Sequence, residues 1–178
     1  QAIAGRNPLS SVSCPSGHFC VAADLAGHVV TYDGVEWSSP MLVDPDGGGI
    51  VDVSCASSRF CAAVDADNRA MTYDGTSWSD PLVVDPQGLD FGAVSCPRRN
   101  YCVAVDHGGS AIVYDHGWQS PVKIDGTFIG FSDISCSSPS FCVAATHGWG
   151  VFTFQGGAWS GPQRIVRPSE HLSSVSCA

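Results

Sequence analysis

Four times along this chain a cysteine is followed by another six residues later: Cys14 and Cys20, Cys55 and Cys61, Cys96 and Cys102, Cys136 and Cys142. The leading cysteines are spaced 41, 41 and 40 residues apart, and Cys177 follows Cys136 after another 41. Trp37, Trp78, Trp118 and Trp159 keep the same step, as do Pro40, Pro81, Pro121 and Pro162. Such a period marks a supersecondary unit that cannot bury its own faces and must stack on its neighbours. It restricts the fold more than anything else in the sequence.

Each unit divides into four strand-sized pieces. In the first unit these are residues 12–14 with their lead-in, 19–23, 28–32 and 37–43. Pro15-Ser16-Gly17, Ala26-Gly27 and Asp33-Gly34 separate them as turn signals, and Asp-Gly between strands is a strong hairpin signal. No stretch holds a 3.6-residue period, so helix is not expected. Four antiparallel strands per unit describe the blade of a β-propeller. The repeats fall at about 9–49, 50–90, 91–130 and 131–171, with a partial fifth at 172–178. The runs Cys-Val-Ala-Ala at 20–23 and Cys-Val-Ala-Val at 102–105 suit strands covered on both faces. Phe19, Phe60, Tyr101 and Phe141 precede each second cysteine, and the recurring ring reads as packing between blades. The repeated tryptophans read the same way, with sugar stacking as the alternative use of such rings.

The C-x5-C spacing fits a hairpin whose two strands bring the cysteines opposite each other, Cys14 against Cys20 in the first unit, as a cross-strand disulfide needs. Zinc sites usually carry a second pair or a histidine to complete four ligands, and here each pair stands alone in its repeat. Four intra-repeat disulfides are therefore expected, with Cys177 unpaired or linked to another chain. They imply an oxidising compartment: a secreted, extracellular or cell-surface protein.

The net charge is −9, and only Arg98-Arg99 forms a basic pair. That disfavours nucleic acid and anionic membrane surfaces, both of which recruit clustered Lys and Arg. The apolar runs fall far short of the ~20 residues of a membrane helix, so membrane insertion is not expected. Apolar residues at 44% rule out a disordered chain.

The unit S-C-x-S-x-x-F-C-V-A-V-D-x-x-G…Y-D-G-x-x-W-S-x-P, followed from Leu9 to Cys177, resembles a repeat abundant in secreted or surface-anchored bacterial proteins. Some of those are receptor-kinase ectodomains. The resemblance implies a propeller-like fold outside the membrane and carries no catalytic set. More weakly, Thr31-Tyr32-Asp33-Gly34-Val35-Glu36-Trp37 resembles the Asp-box hairpin of sialidases, one residue short between Asp and Gly. That motif is structural and speaks for a propeller, not for an enzyme.

Glycosidase chemistry needs two carboxylates across a cleft. Asp24, Asp65 and Asp106 recur at one place and read as turn caps, and Asp44, Asp85 and Asp125 recur at the end of the fourth strand. No G-x-S-x-G elbow, calcium loop or cofactor motif is present, and neither a catalytic residue nor a metal is assigned. Function in a repeat protein tends to sit where one unit departs from the others. Trp149, the single tryptophan outside the repeat position, lies between Gly148 and Gly150 and is expected to be exposed, with the other four buried. His107 and His147 stand where the first two repeats have Leu25 and Ala66. Trp149, His147 and His107 form the candidate ligand patch. Arg98-Arg99 and the crossover segments 46–49, 89–91, 127–128 and 168–171 also depart from the repeat.

The expectation is a non-catalytic extracellular binding module, taking a glycan, as a lectin does, or a protein partner through loops on one face. The alternatives are a repeat protein that self-assembles and a propeller glycosidase or lyase. Leu172-Ser-Ser-Val-Ser-Cys177 is identical to Leu9-Ser-Ser-Val-Ser-Cys14, so the first strand of a blade occurs once more than the other strands do. Two expectations follow: remaining blades of a larger propeller, or a homo-oligomer in which that strand pairs with another chain.

Overall fold

The structure is a computed structural model describing residues 7–124, 126, 130–167 and 170–177. Among these the chain is all-β, sixteen strands in four sheets. The first sheet holds β1 (Leu9–Ser16), β2 (Phe19–Asp24), β3 (His28–Tyr32) and β4 (Met41–Leu42). The second holds β5 (Ile50–Ser57), β6 (Phe60–Asp65), β7 (Arg69–Tyr73) and β8 (Leu82–Val83). The third holds β9 (Phe91–Arg98), β10 (Tyr101–Asp106), β11 (Ser110–Asp115) and β12 (Val122–Lys123). The fourth holds β13 (Phe131–Ser138), β14 (Phe141–Thr146), β15 (Gly150–Gln155) and β16 (Ala158–Arg164). Every sheet is an antiparallel meander in chain order.

The short first hairpin is what the cysteine spacing demands. All four expected disulfides are present: Cys14 to Cys20, Cys55 to Cys61, Cys96 to Cys102 and Cys136 to Cys142, with Cα separations of 3.9–4.1 Å. Cys177 is a free thiol. These bonds fit an extracellular or otherwise oxidising environment. The expected direct opposition of the two cysteines needs correction in half the repeats. Cys55 faces Cys61 and Cys136 faces Cys142 as ladder partners. Cys20 and Cys102 have no such partner on the first strand, although each is bonded to its cysteine. There the ladder steps from Ser13 opposite Val21 to Ser16 opposite Phe19, and from Ser95 opposite Val103 to Arg98 opposite Tyr101. All four first strands carry an extra residue beside the hairpin turn. In these two repeats, however, the residue after the first cysteine is a proline, Pro15 or Pro97, which has no N–H to complete the ladder at the cysteine pair. The other repeats have Ala56 and Ser137 there. The disulfide closes across the irregularity and does not depend on the ladder.

Burial of the disulfides follows the stacking. Cys61, Cys102 and Cys142 are fully buried, each in the core shared with the preceding sheet. Cys20 is only half-buried and Cys14 is exposed, because among the described residues no sheet packs on that side of the first. Small side chains let the second strand lie between neighbouring sheets, and every residue of β6 and of β10 is buried.

Three apolar cores hold the stack. The first joins sheets one and two through Val21, Ala23, Val53 and Met71. The second joins sheets two and three through Ala62, Val64, Val94 and Ile112. The third joins sheets three and four through Val103, Val105, Ile134 and Phe152. Rings add to the contacts: Phe19 stacks on Tyr73 and Phe60 tilts against Tyr114, so the aromatic before the second cysteine does pack between sheets. Trp78, Trp118 and Trp159 each lean on the core shared with the preceding sheet. Among the described residues no such core joins the fourth sheet to the first, so the stack is open.

A second set of contacts threads the first strands. The N–H of Cys55 donates to Ser13 Oγ at 2.9 Å, Cys96 to Ser54 at 2.9 Å and Cys136 to Ser95 at 3.0 Å. The series continues past the last strand: Cys177 N–H donates to Ser135 Oγ at 3.0 Å and Val175 N–H to Asp133 Oδ2 at 2.7 Å. Residues 172–177 thus sit on β13 as β13 sits on β9, although they form no regular strand.

The fourth strand differs from the expected 37–43. In the first three sheets it is broken: Trp37, Trp78 and Trp118 make isolated bridges to Tyr32, Tyr73 and Tyr114, and pairing resumes only after the proline. In the first two sheets the Thr31 and Thr72 N–H groups donate to the Ser38 and Ser79 hydroxyls at 3.0 Å, not to the backbone of the outer strand. Proline alone does not break it, since Pro162 lies inside β16. Only β16 is continuous, because the two-residue turn Gly156-Gly157, both at positive φ, sets Gln155 opposite Ala158.

Candidate functional site

The turns after β2, β6, β10 and β14 lie on one rim of the stack, beside the crossovers between sheets. Backbone bonds fix this: Ala66 N–H donates to the Gly49 carbonyl, His107 to Asp90 and His147 to Gly130. The cysteine hairpins lie on the opposite rim.

Each turn is capped by the last residue of the strand before it. Asp24 Oδ1 accepts from the N–H of Ala26 at 2.9 Å and of His28 at 2.8 Å. Asp65 Oδ1 accepts from Asp67 at 2.9 Å and Arg69 at 2.7 Å, and Asp106 Oδ1 from Ser110 at 2.6 Å. In the fourth sheet Thr146 Oγ1 takes this part, accepting from Gly148 and Gly150. The turn-residue reading of Asp24, Asp65 and Asp106 therefore holds.

On this rim His107 and His147 face each other across the third and fourth sheets, with ring centroids 4.7 Å apart. Burial and the neighbouring His107 hold His147 below the usual imidazole range. His171 adds a third imidazole at the edge, its Nδ1 3.2 Å from the His147 carbonyl.

Trp149 departs from expectation. It is half-buried, because the Arg164 guanidinium covers its ring at 4.3 Å from the centroid. The repeat tryptophans are half-buried too, each tucked against a ring of its own sheet. They lie near the broken outer strand, which cannot cover them. All five tryptophans thus share one burial class. Sequence reading missed Arg164, which reaches the patch from β16, and took His171 only as part of the departing segment 168–171 at the end of the fourth repeat.

A second cluster lies on the same rim. Between sheets one and two, Asp44 and Asp65 are buried around Arg69. Arg69 Nε donates to Asp65 Oδ2 at 2.7 Å, and Nη2 stands 3.1 Å from Asp44 Oδ1, an ion pair without hydrogen-bond alignment. Between sheets two and three the corresponding carboxylates are Asp85 and Asp106, 4% and 0% exposed. Ser110 stands where Arg69 would be, and both Oδ2 atoms are buried without a hydrogen-bond partner. Burial pushes the Asp106 carboxyl up, against the Ser110 N–H that holds it down, and Asp85 pushes it further. Asp125, the third member of the series, lies outside the described residues, as do crossover residues 127–128 and 168–169. Among the described residues no three His, Cys, Asp or Glu side chains are placed to hold a metal ion.

No protein-family model matches this chain, and no curated protein matches it.

Proposed function

We propose that this chain is a non-catalytic, extracellular binding module of the β-propeller repeat type, and that it takes a glycan or protein partner on the rim carrying His107, His147 and Trp149. The observation that carries the reading is the pairing of His107 with His147 at 4.7 Å beside the Trp149–Arg164 stack. These residues break the repeat, and they meet on one rim. Imidazole donors next to an amphipathic ring suit a polar partner with an apolar face, a sugar or a peptide. The disulfides support secretion.

A glycan array and a bacterial surface-extract pull-down, run with the wild type and with His147→Ala and Trp149→Ala, test the reading. Retained ligands should be lost in both variants with Tm unchanged. Ligands held equally by the variants would remove the patch from the account.

A second reading has its own observation. Residues 172–177 dock on β13 through Val175 and Cys177, while the side of β1 that would receive a preceding sheet is bare. Val12 is 61% exposed, whereas Val53, Val94 and Ile134 at its position are no more than 4% exposed. Such ends suit head-to-tail assembly or further blades.

A further inference from the structure

The two carboxylate pairs on this rim are built alike and completed differently. Asp44, Asp65 and Gly47 of the first interface correspond, 41 residues on, to Asp85, Asp106 and Gly88 of the second. In the first interface a guanidinium fills the space between sheets. A Cβ on Gly47 would lie 1.9 Å from Arg69 Nη2, so the absence of a side chain there makes room for the cation. In the second interface the same bare glycine is kept, and a Cβ on Gly88 would lie 2.5 Å from Asp85 Oδ2 and 2.9 Å from Asp106 Oδ2. The two unpartnered oxygens converge on one point beside Gly88.

A cleft of about 450 Å³, broadly open to solvent, runs beside that point, lined by Asp85, Gln87, Gly88, Ser110 and Lys123; Asp106 does not line it but lies buried behind Gly88. Ser110 in place of Arg69 vacates it. Lys123 lines its edge and donates from Nζ to the Gly108 carbonyl. Two buried carboxylates with free acceptor capacity are costly unless a cation with N–H donors meets them. A planar guanidinium answers both at once, as Arg69 does next door.

We infer that the Asp85–Asp106 pocket is a seat for the guanidinium of an arginine side chain presented by a protein partner. The choice of a protein partner rests on the binding-module reading, whereas the seat itself stands on its own side chains and is tested without any partner. The net charge of −9 draws a cationic segment towards it. Entry of the guanidinium displaces any proton shared by the pair, so affinity rises with pH. The groups about Asp106 in that titration are Asp85 across the interface and Lys123 on β12, at the wall of the cleft, whereas the His107 ring on its own turn faces His147 on the other side of the sheet.

The test uses argininamide as ligand, with calorimetry and thermal shift as readouts. Citrulline amide, its uncharged analogue, and calcium chloride are the controls. Argininamide should bind saturably and raise Tm, and citrulline amide should do neither. Asp85→Asn and Asp106→Asn keep shape and lose charge, and each should weaken argininamide about tenfold or more. Ser110→Arg should place a resident guanidinium in the seat, raise the basal Tm and abolish the response. If that variant fails to fold, the two Asn variants carry the test alone. Equal binding of citrulline amide, or full binding by the Asn variants, overturns the proposal. So does saturable calcium binding without argininamide binding. Lys123→Met removes a cation from the wall of the cleft and should strengthen the response. A response that emerges only in Lys123→Met would show the seat filled by Lys123 and would likewise overturn it. Loss of the His147–Trp149 ligand in the array leaves these readouts untouched, so the two ideas fail separately.

Discussion

At the scale of the residue, a carboxylate does different work according to who stands opposite. Asp74 on an exposed hairpin accepts from Thr76 Oγ1 and from the N–H groups of Ser77 and Thr76, and is held down to about 2. Asp33 caps its hairpin the same way through Val35 and Glu36. Asp106 caps a turn too, yet burial and Asp85 push it up. The sign of its effect on stability follows. Below the ordinary carboxylate value both folded and unfolded chains hold the proton, and Asp106 costs nothing. As pH rises past that value the unfolded chain releases its proton first, so the folded state loses ground until its own raised value is passed. Asp106→Asn keeps the Oδ1 cap and removes the charge. Its Tm should rise by roughly 2–4 °C at pH 7 and change little at pH 3. Thermal melts across that range check this, and an equal shift at both pH values would contradict it.

At the scale of the element, each sheet is a hairpin stapled at one end, a third strand and an outer strand whose pairing is interrupted in the first three. The hairpins are legible in sequence because cysteine spacing, Asp-Gly turns and small apolar runs are local signals. The missing ladder pair at Cys20 and Cys102 is marked by Pro15 and Pro97, but its effect depends on the pairing register, which no single residue states. The outer strand reads too long, since the sequence shows Trp37 and Val43 but not the gap in pairing between them, where the Ser38 hydroxyl takes the Thr31 N–H. Removing one staple, in Cys96→Ser with Cys102→Ser, should cost about 2 kcal/mol and leave the fold intact, because the apolar contacts of the second and third cores remain. Urea melts measure it, and global unfolding of the double variant would contradict it. Burial differs by element too. Val53→Ala should cost about 2 kcal/mol, whereas Val12→Ala should stay within about 0.5 kcal/mol, since Val12 already meets solvent. Equal losses at both positions would mean that the face of β1 is covered in solution.

At the scale of the whole molecule, four sheets stack in order and do not close. The serine ladder from Ser13 to Ser135 shows that each first strand receives the next one by the same hydrogen bond, and residues 172–177 use the last position. Deleting residues 171–178 removes three backbone donors, from Leu172, Val175 and Cys177, and bares β13. If that docked segment builds an assembly, light scattering should report a multimer for the full chain and a smaller species for the deletion. A monomer in both cases would leave the segment a purely internal cover, and would set the assembly reading aside.

The sequence by itself determined the repeat, the all-β character, the disulfide pairs, the turn-capping aspartates and the packing role of the recurring phenylalanines. All of these are set by residues within one unit or by the period itself. Tertiary structure alone decided which departures meet. His107 and His147 are forty residues apart and come together only because turns at one repeat position share a rim. Arg164 reaches Trp149 from the neighbouring strand, and so closes off a ring that its glycine neighbours suggested was bare. The contrast between Asp44–Arg69–Asp65 and Asp85–Asp106 was equally hidden, because in sequence these aspartates look like a uniform series. Stacking pairs the end of one sheet with the middle of the next, and the energy of a buried carboxylate depends on that neighbour, which no single repeat contains.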